Sequence, residues 1–147
     1  MRSMNHKNVI KLHDVYESTK YIHLVLPYLV GGELFVRINQ KGLYRESDAQ
    51  PIMKNFLEAL VYLADNLIVH RDLKPENLIF ASKNDNTSII IADFGLATQL
   101  HSQEHKLTLR CGSPGYVAPE VLRDEGYNCS SDVFSAGVIF YVMLTGR

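Results

Sequence analysis

Asp72, Lys74, Asn77 and Asp93 stand close together in two short polar clusters, His70-Arg71-Asp72-Leu73-Lys74-Pro75-Glu76-Asn77 and Asp93-Phe94-Gly95. Asp93 follows Asp72 by 21 positions. A bare turn has no use for an aspartate, a lysine, an asparagine and a second aspartate at such intervals. Between the clusters lie two apolar runs, Leu78-Ile79-Phe80 and Ile89-Ile90-Ile91, separated by the turn-rich Lys83-Asn84-Asp85-Asn86. The runs read as a β-hairpin.

The flanking sequence supplies the scaffold. Residues 9–16 and 21–26 are rich in β-branched and aromatic side chains, and the polar Glu17-Ser18-Thr19-Lys20 between them predicts another hairpin. Pro27 ends the second strand, and Gly31-Gly32 makes a flexible corner before a short helix over 33–39. A longer helix is expected over 47–66, with Ser47 as N-cap, Pro51 near the first turn, and Ile52, Phe56, Leu57, Leu60 and Leu63 on one apolar face. Residues 95–126 read as irregular and are too long for a mere connector. Ser130 or Ser131 then caps an apolar helix running to about Thr145. The class is α+β, mainly helical with two small hairpins.

Composition removes several functions. With 15 basic and 16 acidic residues the chain has no electrostatic footprint for nucleic acid or an anionic membrane. Two cysteines, Cys111 and Cys129, cannot build a disulfide framework or a paired zinc signature. His101 and His105 have helical spacing, but no Cys or carboxylate sits at metal spacing nearby, so they read as loop residues. The start, Met1-Arg2-Ser3-Met4, has no signal-peptide core, and the apolar run 133–144 is too short to span a bilayer. The expectation is a cytoplasmic chain with no nucleic-acid or membrane partner.

With Ala118-Pro119-Glu120 added, the clusters match in order the catalytic-loop, metal-binding and activation-segment-end motifs of eukaryotic protein kinases. The whole chain resembles that family. Gly31-Gly32-Glu33-Leu34-Phe35 and the run from Gly112 to Glu120 look most like the calcium/calmodulin-dependent kinase group. The resemblance implies a serine/threonine kinase, since Lys74 stands two places after Asp72. It implies Asp72 as the proton acceptor for the substrate hydroxyl, Lys74 at the transferring phosphate, and Asn77 and Asp93 as Mg²⁺ ligands. For ATP it implies Leu26 behind the adenine, the linker Pro27, Tyr28 and Leu29 beside it, Glu33 at the ribose and Ile79 as the floor. Lys74, Glu76, Asn77 and Asp93 complete that nucleotide set. Leu12, His70 and Phe94 would form one apolar stack anchored on Asp132, and Ser113 would brace Asp72 and Lys74. Arg71 would clamp a phosphorylated activation loop, with Ser102 and Thr108 as acceptors, although the usual threonine position holds Leu109.

The family's Gly-x-Gly-x-x-Gly loop and Val-Ala-x-Lys strand do not occur in the sequence. The expectation is therefore a partial kinase-like fold over 1–147: the upper helical lobe, the hinge and the last strands of the small lobe. Its function would be that of a serine/threonine kinase fragment that moves the γ-phosphoryl group of Mg-ATP to protein hydroxyls, inactive by itself. Calmodulin or another regulator would act through parts outside the chain. The alternative is a catalytically dead interaction module or a truncated gene model.

Overall fold

The computed structural model describes residues 4–146; the polar start Met1-Arg2-Ser3 and the final Arg147 lie outside the described residues. The chain opens with an antiparallel hairpin of β1 (Asp14–Glu17) and β2 (Ile22–Val25), in which Asp14 faces Val25 and Glu17 faces Ile22. Helices α1 (Leu34–Lys41) and α2 (Glu46–Asp65) follow. A short strand β3 (Ile68–Val69) leads to a 3-10 turn (Pro75–Asn77) and the antiparallel hairpin β4 (Leu78–Phe80) and β5 (Ile89–Ile91). Strand β6 (Thr98–Gln99) returns to pair with β3. The chain then runs through α3 (Pro119–Leu122) to α4 (Ser130–Thr145).

The core lies between α2, α4 and the β4–β5 hairpin. Helix α2 buries Ala49, Ile52, Met53, Phe56, Ala59, Leu60 and Leu63, a seam at helical spacing. Leu57, expected in that seam, is 43% exposed: one step of about 100° past Phe56 turns it away. Ser47 is not the N-cap, since the helix starts one residue earlier with Arg45 in the cap position. Acidic Glu46 and Asp48 in the first turn complement the helix dipole instead. Pro51 therefore stands inside the helix.

At α4 the two serines begin the helix rather than cap it. Cys129 holds the cap position, and the Asn128 side-chain oxygen accepts from the Ser130 backbone N–H (3.1 Å) and hydroxyl (2.9 Å). Gly146, at φ 73°, ends the helix by returning its N–H to the Val142 carbonyl.

The first strand is also shorter than the 9–16 expected. Val9 and Ile10 are buried and pair beside β5 instead: Ile10 N–H donates to the Ile91 carbonyl and Ile91 N–H to that of Asn8, both at 2.9 Å. The stretch 95–126 is mostly irregular, as expected, apart from β6 and α3. Among the described residues no helix is long and apolar enough to cross a membrane.

Candidate active site

The β4–β5 hairpin does the first positioning. Its register sets Leu78 opposite Ile91, and one rung further the Ala92 N–H donates to the Asn77 carbonyl at 2.9 Å. Asn77 and Asp93, sixteen positions apart in sequence, therefore emerge at one end of one hairpin. The Asn77 carboxamide N–H donates back to the Asp72 carbonyl (2.8 Å), with the Asp72 carboxylate at 3.4 Å. This bond closes the segment from Asp72 to Asn77 on itself.

Asp72, Lys74 and Ser113 form a closed triangle. The Ser113 hydroxyl donates to Asp72 Oδ1 at 2.7 Å, the Lys74 ammonium donates to Ser113 Oγ at 2.8 Å, and Lys74 Nζ stands 3.2 Å from Asp72 Oδ2. Burial works to raise the Asp72 carboxyl. The hydrogen bonds from Ser113 and Lys74 and the lysine charge outweigh it, so the group sits below the ordinary carboxylate range. Asp72 is thus an ionised acceptor at neutral pH, held beside a cation.

Two residues of the site have left-handed backbone, Arg71 at φ 71° and Asp93 at φ 57°. Such conformations cost non-glycine residues about 1–3 kcal/mol and persist where the surroundings over-determine them. Buried Asp132 does this for the first: its carboxylate accepts the backbone N–H groups of His70 (2.7 Å) and Arg71 (3.0 Å). For the second, Asp93 Oδ1 accepts the Gly95 N–H at 3.2 Å. Asp93 remains exposed.

His70 is fully buried, and burial lowers its pKa, so the ring is neutral. Both nitrogens have partners that fix the tautomer. Nε2 carries the proton toward the Ala92 carbonyl (3.0 Å), while Nδ1 accepts the Asp72 N–H (3.3 Å). Phe94 meets the ring edge-on at 4.8 Å. The His70–Phe94 pair and its Asp132 anchor are present; Leu12, the expected third tier, is only half-buried.

On the other flank, Glu33 pairs with Ile79 through an antiparallel bridge. Glu33 occupies the cap position of α1 without a side-chain capping bond, so the helix does not use its carboxylate. Leu26 and Tyr28 are exposed, Tyr28 at 91%, and Leu29 is half-buried between them and the Gly31-Gly32 corner. Glu76, in the 3-10 turn, has one carboxylate oxygen buried without a hydrogen-bond partner among the described residues. A buried acceptor left open is uncommon and fits a residue that waits for a cationic or donor group.

Among the described residues no three His, Cys, Asp or Glu side chains gather as a metal cage. Asn77 and Asp93 offer one carboxamide and one carboxylate oxygen, a donor set that suits Mg²⁺, which is held by one or two carboxylates together with substrate phosphates. His101 and His105 stack on one another at 4.9 Å. Arg71 donates through Nε to the Leu96 carbonyl at 2.5 Å. Ser102, Thr108 and Leu109 are all exposed. Two further contacts in this segment have no signal in the sequence. Arg110 forms an ion pair with Asp124, and the Tyr127 hydroxyl donates to the Leu109 carbonyl at 2.5 Å. Only the fold brings these side chains together.

Across known protein families, residues 1–147 match the protein kinase domain. Among individual proteins, the chain is 44% identical over 146 residues to calcium/calmodulin-dependent protein kinase type 1 of Caenorhabditis elegans, covering 99% of this chain and 41% of that protein. It is 47% identical over 145 residues to the type IV kinase of Homo sapiens, covering 97% and 30% respectively. It is also 46% identical over 145 residues to kinase cmkB of Emericella nidulans, covering 98% and 36%. The chain thus spans about two fifths or less of the length of these relatives.

Proposed function

The chain belongs to the protein kinase domain family, and on that premise we propose that the full-length protein transfers the γ-phosphoryl group of Mg-ATP to serine and threonine hydroxyls of proteins. The observation that carries this reading is the Asp72–Ser113–Lys74 triangle, set beside the hairpin end that holds Asn77 and Asp93.

Phosphoryl transfer demands mainly positioning and charge stabilisation from a protein. Asp72, ionised and held on one oxygen by Ser113, orients the substrate hydroxyl and takes its proton. Lys74 offers its charge where negative charge builds on the transferring group. Asn77 and Asp93 are the residues that would hold Mg²⁺, with oxygen donors at one site. Leu26, Leu29, Glu33 and Ile79 would hold the nucleoside, Glu33 at the ribose, and Glu76 would add a carboxylate beside the loop. Bound Mg-ATP supplies the transferable phosphoryl group. The named relatives are calcium/calmodulin-dependent, and we extend that mode of control to this protein through segments outside the 147 residues. The free Cys111 and Cys129 fit a reducing cytoplasm.

The test is transfer of labelled γ-phosphate to serine- and threonine-containing peptides by the full-length protein. Asp72→Asn is expected to lower the rate by about 10²–10⁴-fold, the usual contribution of a positioned base, with ATP binding kept within a few-fold. Wild-type protein that binds a partner but transfers no phosphate would favour the interaction-module reading. A variant as fast as the parent would remove Asp72 from the role.

A further inference from the structure

Two adjacent glycines, Gly31-Gly32, are a poor foundation for a binding residue, because glycine has the widest backbone freedom. Yet the residue after them is Glu33. The structure shows the corner pinned. Gly31 N–H donates to the Phe80 carbonyl (3.2 Å), and Phe80 N–H donates to the Gly32 carbonyl (2.9 Å), so residues 31–33 lie along β4 like an added strand. A Cβ on Gly31 would fall 2.3 Å from the Phe80 carbonyl oxygen, which leaves glycine alone able to approach so closely.

Arg37 closes this clip from the opposite side. It sits one turn along α1 from Glu33, to whose carbonyl its own N–H donates. Its guanidinium sends Nε (3.2 Å) and Nη2 (2.8 Å) to the Gly31 carbonyl. The remaining donors reach the β4–β5 turn, at Ser82 O (3.2 Å), Asp85 O (3.3 Å) and Asn86 Oδ1 (2.8 Å). The guanidinium carbon lies 3.7 Å from the centroid of the buried Phe80 ring. Only a planar, forked cation can stack on a ring while bonding to both sides.

We propose that Arg37 is the positioning residue of the nucleotide site: it ties the glycine corner to the β4–β5 turn and so fixes the Glu33 carboxylate for the ribose hydroxyls. This rests on the reading of Glu33 as the ribose contact. Without the fork, the corner keeps only its two backbone bonds to Phe80, and Glu33 no longer holds one place relative to Ile79, the floor of the same pocket.

The experiment measures equilibrium binding of ATP and of 2′,3′-dideoxy-ATP, both with Mg²⁺, to the full-length protein. A hydrogen bond to a charged group is worth about 1.5–3 kcal/mol, so the parent should prefer ATP by about tenfold or more. Arg37→Met keeps the aliphatic stem over Phe80 and should bring that preference to within about twofold of unity, while dideoxy-ATP affinity changes less than about threefold. Arg37→Lys keeps the charge but not the fork, and should fail in the same way. Asn86→Ala removes a single contact at an exposed turn, so it folds and should give a partial loss. In a Glu33→Gln background, Arg37→Met should change the preference no further.

An unchanged preference in the Arg37 and Asn86 variants, against a selective parent, overturns this inference alone. Equal loss of both nucleotides in Arg37→Met, together with an unchanged Asn86→Ala, overturns it in favour of a general stabilising role. A parent that binds ATP without any ribose preference overturns the Glu33 assignment and this proposal with it. A parent that binds no ATP overturns the proposed function itself.

Discussion

His70 shows how one side chain can join stability to the site. Its neutral ring donates to Ala92 and accepts from the N–H of Asp72, so protonation would place a second N–H against a donor inside the core. The negative neighbours Asp72, Asp93 and Asp132 work to raise its pKa, but burial outweighs them and the net direction is down. An unfolded histidine titrates at about 6.5. As pH falls below that value the unfolded chain binds a proton that the folded chain refuses, so stability drops until the lowered folded pKa is passed. His6, also lowered by burial and by Lys7, adds to the same slope. Thermal melts of the full-length protein between pH 7 and pH 5 should therefore show a falling midpoint, and His70→Phe should flatten that fall; an identical slope in the variant would show that His70 is not held neutral. At this scale the sequence was most legible where family motifs name residues, as at Asp72, Lys74, Asn77 and Asp93. Arg37 escaped it, because its partners Ser82, Asp85 and Asn86 lie more than forty residues away and no local pattern marks them.

Among the elements, the β4–β5 hairpin could be read because two apolar triplets flank a run of turn formers, and local signals suffice for a local pairing. The first strand could not. Val9 and Ile10 carry the same β-branched signal as the residues that follow, but their partner is Ile91, and periodicity names no partner. Helix α2 was legible in extent but not at Ser47, which does not cap it, nor at Leu57, where a hydrophobic residue lies just off the buried seam. That detail is measurable. Phe56 is fully buried, so Phe56→Ala should cost about 3–5 kcal/mol, through lost transfer energy and the cavity left behind. Leu57→Ala should cost less than about 1 kcal/mol, as exposed substitutions do. Denaturant midpoints of the two variants in the full-length protein check the contrast, and comparable losses would place Leu57 in the core.

For the molecule as a whole, the helical half has a buried core while the hinge half does not. Both strands of the β1–β2 hairpin are largely exposed, with Ile22 at 69%. An open apolar groove of about 780 Å³ runs along α2 and α4, between Met53, Leu57, Val61 and Phe140. The Asp72–Lys74–Ser113 triangle and the hairpin end with Asn77 and Asp93 sit at the loop before β4 and the residues after β5. Such convergence was legible only through the resemblance, since no spacing rule joins Ser113 to Asp72 and Lys74 across some forty residues. If the hairpin end carrying Asn77 and Asp93 holds the metal of a nucleotide site, ATP binding must depend on Mg²⁺ through those two residues. In the full-length protein, Mg²⁺ should tighten ATP binding, and Asp93→Asn, which keeps the shape but removes the charge, should abolish most of that gain while leaving metal-free ATP binding close to the parent's. Full retention of the Mg²⁺ effect in Asp93→Asn would remove Asp93 from the metal site.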